Sequence, residues 1–302
     1  EAERFSEGLA LVSIGLNDGF IDAKGKLIIE PIYRCSHGFS EGLAAVAKDC
    51  EGNWEYIDRN GKTVIEPKFS WAGQFRGGLA EVLFVTNEQP FDQKTGYIDK
   101  SGKFIIEPKF DSSEPFSDGL AMIAEDKKRE DGSSAYFNRK AFMDTKGNIV
   151  TPFFDRAEDF SDGLAAVEIN NLWGFIDKTG NIVIAPQFDF IVRGFSEGIA
   201  FVNCDNDKIA AINKIGKYIT ECFFSEAWSF SEGLAPVQIG EKFGYINKTG
   251  KFTIEPQFDS AKPFYNGLAE VHTYKDDWFY TGYINHSGRY VFKPVKSRKL
   301  DD

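Results

Sequence analysis

No run of 18 or more apolar residues occurs in this 302-residue chain, so no helix of it is expected to span a membrane. Basic residues are outnumbered, 35 Lys and Arg against 46 Asp and Glu, and the formal charge is −11. Such a surface repels phosphate backbones and anionic lipid, which argues against nucleic acid or membrane as a partner. Histidine is limited to His37, His272 and His286, too few and too scattered for a metal triad, so no metal site is expected. The four cysteines show no CxxC spacing. Cys204 and Cys222 can pair if the fold brings them close; in an intracellular protein all four would be small buried or idle thiols. A P-loop, a dinucleotide fingerprint and HExxH are all missing, and no cofactor is implied. Ten residues of helical periodicity are found nowhere. The chain opens on Glu1 with no signal-peptide pattern, as a mature or trimmed form would, and an extracytoplasmic compartment (secreted or cell envelope) is favoured over the cytoplasm.

What is present is a repeat. A phrase of the form aromatic-Ser/Tyr-acidic-Gly-Leu-Ala returns, with small changes, at Phe5, Phe39, Phe75, Phe116, Phe160, Phe195, Phe230 and Phe264. Each is followed by an aromatic-Ile-Asp/Asn phrase, a glycine turn and an apolar run ending near proline. This makes eight copies of about 35 residues, at 2–35, 36–71, 72–112, 113–156, 157–191, 192–226, 227–260 and 261–297, with a tail at 298–302. Short alternating runs rich in β-branched residues and bounded by Gly and Pro predict three strands per copy: a (such as 43–46), b (174–177) and c (181–184). The expected fold is all-β: one array of eight three-stranded antiparallel meanders.

The spacings sharpen this reading. From the strand-b aromatic to the turn glycine (Phe20 to Gly25, Tyr56 to Gly61, Phe175 to Gly180) is five residues in every copy, with Ala211 standing in for the aromatic in the sixth. That fixed register suits a hairpin loop with a left-handed glycine, and the Asp or Asn opening it, such as Asp58, Asp177 or Asn247, is expected to cap the turn. By contrast, the distance from the strand-a glycine to the strand-b aromatic runs 12, 14, 19, 23, 12, 13, 12 and 16. Nearly all length variation therefore falls in the a–b connection, on one rim. Insertions are longest at 83–95 and 124–140, with a shorter one at 272–281. A rigid framework with variable loops on one rim is how repeat proteins present binding surfaces. The loop aromatics Phe84, Phe91, Tyr136, Phe137, Tyr274, Trp278 and Tyr280 are the partner-binding candidates, because no packing rule of the repeat demands them; they could equally fold back over their own loops.

Around Trp173 the phrase LWGFIDKTGNIVIAPQFD, followed by FSEG, resembles the WG (KWG) repeat of bacterial proteins, and the resemblance covers essentially the whole chain. The naming dipeptide is intact only at Trp173-Gly174; Trp54-Glu55 keeps the Trp, Phe243-Gly244 has Phe in its place, and Gly19, Gly96 and Gly282 keep only the Gly. The resemblance implies a bacterial repeat module without an established catalytic role.

Both faces of each small sheet look apolar, so successive sheets should stack. The first and last copies look as apolar as the others, which favours a propeller-like ring over an open superhelical β-repeat stack. One catalytic pattern tempts: Gly38-Phe39-Ser40-Glu41-Gly42 and Gly194-Phe195-Ser196-Glu197-Gly198 fit G-x-S-x-G. That elbow needs a following helix, whereas a strand follows here, and Ser6, Ser117, Ser161 and Ser231 fill the same position without the first Gly. Acidic residues before the repeat glycine, such as Glu41 and Glu197, are expected to be solvated or turn-forming. Asn203, Asp205, Asn206 and Asp207 resemble a calcium loop only loosely, lacking its Gly and closing Glu. The expected function is a non-enzymatic binding scaffold that engages a protein or glycan partner, such as a cell-surface polymer, through the a–b loops. The alternatives are a carbohydrate-binding module and an enzyme with a site where like side chains converge at a ring centre.

Overall fold

The computed structural model describes residues 3, 5–85, 93–128, 136–204, 207–275 and 278–297. Among them there is no α-helix, and the strands form eight antiparallel sheets, one per copy. The second sheet shows the plan: Cys35–Ser36, Ala44–Ala47, Trp54–Ile57 and Thr63–Phe69 lie side by side in chain order. The last three are the expected strands a, b and c. The first is a short lead strand beyond the three expected, and seven of the eight sheets have one.

Lead strand and strand a are joined by a two-residue turn. Ser40 and Leu43 exchange both backbone hydrogen bonds, N–H to O at 2.9 and 3.2 Å, around Glu41 and Gly42, whose φ angles are 53° and 91°. Two left-handed residues in succession match the right-handed twist of the flanking strands, and an acid-Gly or Asn-Gly pair supplies them. The b–c turn also behaves as its spacing predicts: Asp58 Oδ1 accepts the N–H groups of Asn60 and Lys62, and Gly61 stands at φ 80°. These bonds hold the Asp58 carboxyl below the usual carboxylate range. With Thr179 hydroxyl and Asn181 amide added, Asp177 falls to about 2.

Gly174 of the WG pair has a steric reason. Strand c shifts register opposite it, and a Cβ on Gly174 would lie 2.5 Å from the Ile184 carbonyl oxygen and 2.8 Å from Pro186 N. No side chain fits there without moving the strand.

Two compact units divide the chain, Glu1–Asp155 and Arg156–Asp302, each holding four sheets. Within each unit the core lies between sheets rather than inside them. In the first unit, Leu11, Phe20, Ile29 and Tyr33 of the first sheet close on Phe39, Ala44, Val46 and Ile57 of the second. The next joint pairs Trp54, Tyr56, Ile65 and Phe69 with Ala72, Phe75, Ala80 and Val82. In the second unit Phe175 and Ile184 meet Phe195 and Val202, and Tyr245 and Ile254 meet Phe264 and Val271. Alternation along each strand feeds both faces, so a single sheet has nothing to bury against and stability resides in the joints.

Cys35 is bonded to Cys50 and Cys204 to Cys222, with Cα atoms 5.4 and 6.1 Å apart. The Cys204–Cys222 bond is the pairing the sequence allowed, and the idle-thiol alternative gives way to two disulfides, each tying strand a's end to a neighbouring segment of its own copy.

Candidate binding surface

A meander puts alternate connections on opposite rims. The lead–a and b–c turns share one rim and are tight in every copy, whereas the a–b connections occupy the other. There the fifth and seventh sheets turn in two residues, at Asn170-Asn171 and Gly240-Glu241. The fourth and eighth sheets instead prolong the ladder. Ala121–Lys128 pairs residue for residue with Tyr136–Met143, and Ala269–Lys275 with Trp278–Ile284, so the inserted residues lengthen strands as well as loops.

The candidate aromatics divide. Phe84 is partly buried against Phe104, ring centroids 5.9 Å apart, and belongs to the core between the second and third sheets. Phe91 lies outside the described residues, as do the side chains of Tyr136 and Phe137, whose backbone continues strand b of the fourth sheet. Tyr274, Trp278 and Tyr280 come together on the hairpin of the eighth sheet. Tyr274 is 47% exposed and Trp278 37%, while Tyr280 is half-buried. Strand alternation sends Tyr274 and Trp278 to opposite faces. Lys296 Nζ stands 3.5 Å from the Trp278 ring centroid, and Tyr274 rests on Phe279 at 5.1 Å. The hairpin is anchored by Asp259, which accepts the Tyr274 N–H at 2.6 Å and the Lys242 ammonium at 2.6 Å; its carboxyl is held low by those partners against the opposing effect of burial.

Each unit carries a groove beside its a–b connections. One of about 320 Å³ runs between the third and fourth sheets, where the Lys94–Asp111 ion pair faces Phe110, Ile123, Glu125 and Phe153. Another of about 470 Å³ lies in the second unit beside the Cys204–Cys222 disulfide and is lined by Asp189, Asn203, Asp207 and Tyr218. Asn203 is committed within the fold: its Oδ1 accepts the Phe190 N–H at 2.9 Å. Asp205 and Asn206 lie outside the described residues. Among the described residues no three His, Cys, Asp or Glu side chains gather as metal ligands.

A second set of side chains escaped the sequence reading. The residue two before each repeat Phe has no common chemistry: Glu3, His37, Gly73 and Glu114 in the first unit, Glu158, Arg193, Trp228 and Lys262 in the second. All but Glu3, whose sheet has no lead strand, lie in or beside the lead strand. The Arg193 guanidinium lies 4.6 Å over Trp228, and burial pushes the Glu158 carboxyl up against the opposing pull of Arg193. Lys262 continues into a network on the eighth sheet, 2.7 Å from Glu270, which also takes His272 Nε2 and the Tyr283 hydroxyl at 3.0 Å each. Lys262 foremost, then Tyr283, holds the Glu270 carboxyl low, and Glu270 in turn raises the Tyr283 phenol. Glu270 and His272 sit on the face that the sequence reading took as wholly apolar. The signal that could have found this set was variability just ahead of an otherwise fixed phrase.

The acids before the repeat glycines do more than form turns. Gly42 N–H donates to Glu7, Gly78 N–H to Glu41 and Gly233 N–H to Glu197, each at 3.0 Å and each from the next sheet. The serines of the G-x-S-x-G phrases are engaged likewise: Ser40 Oγ donates to the Phe75 carbonyl at 2.7 Å and Ser196 Oγ to that of Phe230 at 2.8 Å.

Solved structures of similar outline are remote. A eukaryotic initiation factor structure is 8% identical, with a TM-score of 0.46 over 95% of this chain and 94% of that one. A puromycin hydrolase is 10% identical, with a TM-score of 0.44 over 98% of this chain and 54% of its own, so the chain spans about half of that protein. The uncharacterized protein lmo1340 from Listeria monocytogenes EGD-e is 14% identical, with a TM-score of 0.42 over 83% and 93%. No curated protein matches the chain. The WG containing repeat matches it seven times in tandem, at 19–54, 56–84, 96–128, 141–173, 173–208, 211–243 and 243–271, and the chain belongs to that family.

Proposed function

We propose that this protein is a non-enzymatic binding scaffold that takes a protein partner on the a–b rim, with the eighth-sheet hairpin as a principal contact. The observation that carries the reading is the exposure of Tyr274 and Trp278 on a hairpin that Asp259 fixes in place. Large aromatics on a rigid element lose little conformational freedom on binding, which is why they dominate interface energetics. The confinement of length variation to the a–b connections supports it. The tight turns of the opposite rim are taken up by caps and inter-sheet hydrogen bonds. Two disulfides support an oxidising compartment outside the cytoplasm.

The test is capture with cross-linking from an extract of the source organism, using the wild-type chain, a Tyr274→Ser/Trp278→Ser variant and a Lys24→Glu/Lys146→Glu variant of the opposite rim. A partner enriched by the wild type should be lost from the first variant and kept by the second. Equal enrichment by all three would remove this rim as the binding surface.

A further inference from the structure

Six joints within the two units define what one sheet offers the next. In five of them the repeat Phe of the later sheet lies against the strand-b aromatic of the earlier: Phe39 on Phe20, Phe75 on Tyr56, Phe116 on Tyr97, Phe195 on Phe175 and Phe264 on Tyr245, centroids 4.8–5.0 Å apart. In these joints the arriving Phe is 0–7% exposed and the receiving ring 0–1%.

A charge rule accompanies the ring contact. The residue before the repeat glycine meets the residue two before the b–c glycine of the next sheet, as in the ion pairs Glu41–Lys100, Glu197–Lys248 and Glu232–His286. Arg59 and Lys214, at the latter position, donate to the carbonyls of Glu7 and Asp162. Where the first residue is Gly77 the second is Thr145, both uncharged.

The first and eighth copies each hold half of such a joint. Phe5 is 51% exposed. On the eighth sheet the receiving ring, Tyr283, is 37% exposed and Phe292 59%, although the isoleucines equivalent to Phe292 (Ile29, Ile65, Ile106, Ile184, Ile254) are 3–5% exposed. The two rings stand edge to face, 6.1 Å apart. The turn residue of the eighth copy is Asn266, at φ 51°, and the matching residue of the first copy is Ala23, so the charge rule is satisfied by two uncharged residues, as at Gly77 and Thr145.

We propose that this face of the eighth sheet receives the first sheet of a second copy of the chain, with Phe5 seated against Tyr283 and Phe292 and the Asn266 side-chain carbonyl accepting the Gly8 N–H. Glu270 enters the contact already paired with Lys262, His272 and Tyr283, as Glu81 is paired with Ser113 in the joint between the third and fourth sheets. No lone charge is buried. The contact joins unlike surfaces, so copies add head to tail. Tyr274 shares this face at its rim end, but the contact is centred on Tyr283 and Phe292 and does not rest on the function proposed for the rim.

Sedimentation velocity of the full chain over about a hundredfold range of concentration tests this. The wild-type mass should rise past that of a dimer, while Phe5→Asp and Tyr283→Asp each stay monomeric with the melting temperature of dilute wild type. An equimolar mixture of the two variants should form a dimer and stop, because it holds one usable Phe5 and one usable Tyr283 face. A wild type that stays monomeric throughout overturns the proposal. So does association that persists in either variant. A Phe5→Asp chain that melts lower than a monomeric wild type would mean closure within one chain, and overturns it too.

Discussion

The carboxylate of Glu41 accepts the Gly78 N–H at 3.0 Å and pairs with Lys100 at 3.2 Å, while its own backbone is left-handed at φ 53°. One residue thus turns its own chain and holds the next sheet, and the same arrangement recurs at Glu197 with Gly233 and Lys248. The two roles have opposite demands on the side chain, which makes them separable by substitution.

Glu41→Val should be the most damaging change at this site. It loses the acceptor and forces a β-branched residue into the left-handed region, together costing about 2 kcal/mol. Glu41→Gly loses the hydrogen bond and ion pair, worth only about 0.5–1 kcal/mol at this exposure, but relieves the backbone, so it should stay within about 0.5 kcal/mol of wild type. Glu41→Asn keeps a neutral acceptor and tolerates the turn, and should do the same. Urea midpoints of the three variants check the order; equal losses for Gly and Val would show that the backbone conformation carries no cost.

Phe75 is fully buried against Tyr56, whose hydroxyl donates to the Gly73 carbonyl at 2.8 Å in the same joint. Phe75→Ala should therefore cost about 3–5 kcal/mol, the usual range for emptying an aromatic site. Phe5 holds the same place in the repeat but is 51% exposed, and Phe5→Ala in dilute solution should cost less than about 1 kcal/mol. Chemical denaturation of the two variants side by side measures the difference that covering makes to one repeat position.

The eight copies and their hairpins were legible because left-handed glycines at constant spacing leave a mark that no packing detail can erase. Gly25, Gly61 and Gly180 have φ of 78°, 80° and 83° where the spacing put a turn. The lead strand was not legible, since Cys35–Ser36 is two residues long and shows no alternation. Nor was the Cys35–Cys50 bond, which depends on how strand a and the lead strand align rather than on cysteine spacing. Among the candidate aromatics, Tyr274 and Trp278 are exposed, on strands rather than in a loop. Phe84 is not, because its burial is decided by Phe104 on another strand of the same sheet. The Glu270–Lys262–His272 network was hidden for a related reason: each member is unremarkable in its own phrase and gains meaning only across the sheet.

Reduction should destabilise both units. Cys35 and Cys50 are separated by 15 residues and Cys204 and Cys222 by 18. Closing loops of this size stabilises by about 3 kcal/mol each, chiefly by restricting the unfolded chain. Cys35→Ser/Cys50→Ser and Cys204→Ser/Cys222→Ser should each lower the denaturation midpoint accordingly, and a reducing agent should lower the wild type but leave the four-fold serine variant unchanged. A wild type indifferent to reductant would mean that neither bond restricts the unfolded ensemble.

Glu81 gives the fold a pH dependence of unusual sign for a carboxylate. It is 6% exposed in the joint between the third and fourth sheets, accepting the Ser113 hydroxyl at 2.9 Å, and burial raises its pKa from 4.5 to about 7. The unfolded chain releases this proton near 4.5, whereas the folded chain keeps it until about 7, so between those values the folded state binds more protons. Stability from this group is complete below about 4.5 and is lost as pH rises through about 7. The shift corresponds to about 3 kcal/mol across the window. Glu81→Gln keeps an acceptor for Ser113 and cannot ionise, so its stability should fall less steeply between about pH 5 and pH 8, leaving wild type minus variant to trace the Glu81 titration alone. Parallel pH profiles for the two chains would mean that Glu81 ionises in the folded state as it does in the unfolded one, and that water or a cation reaches this joint.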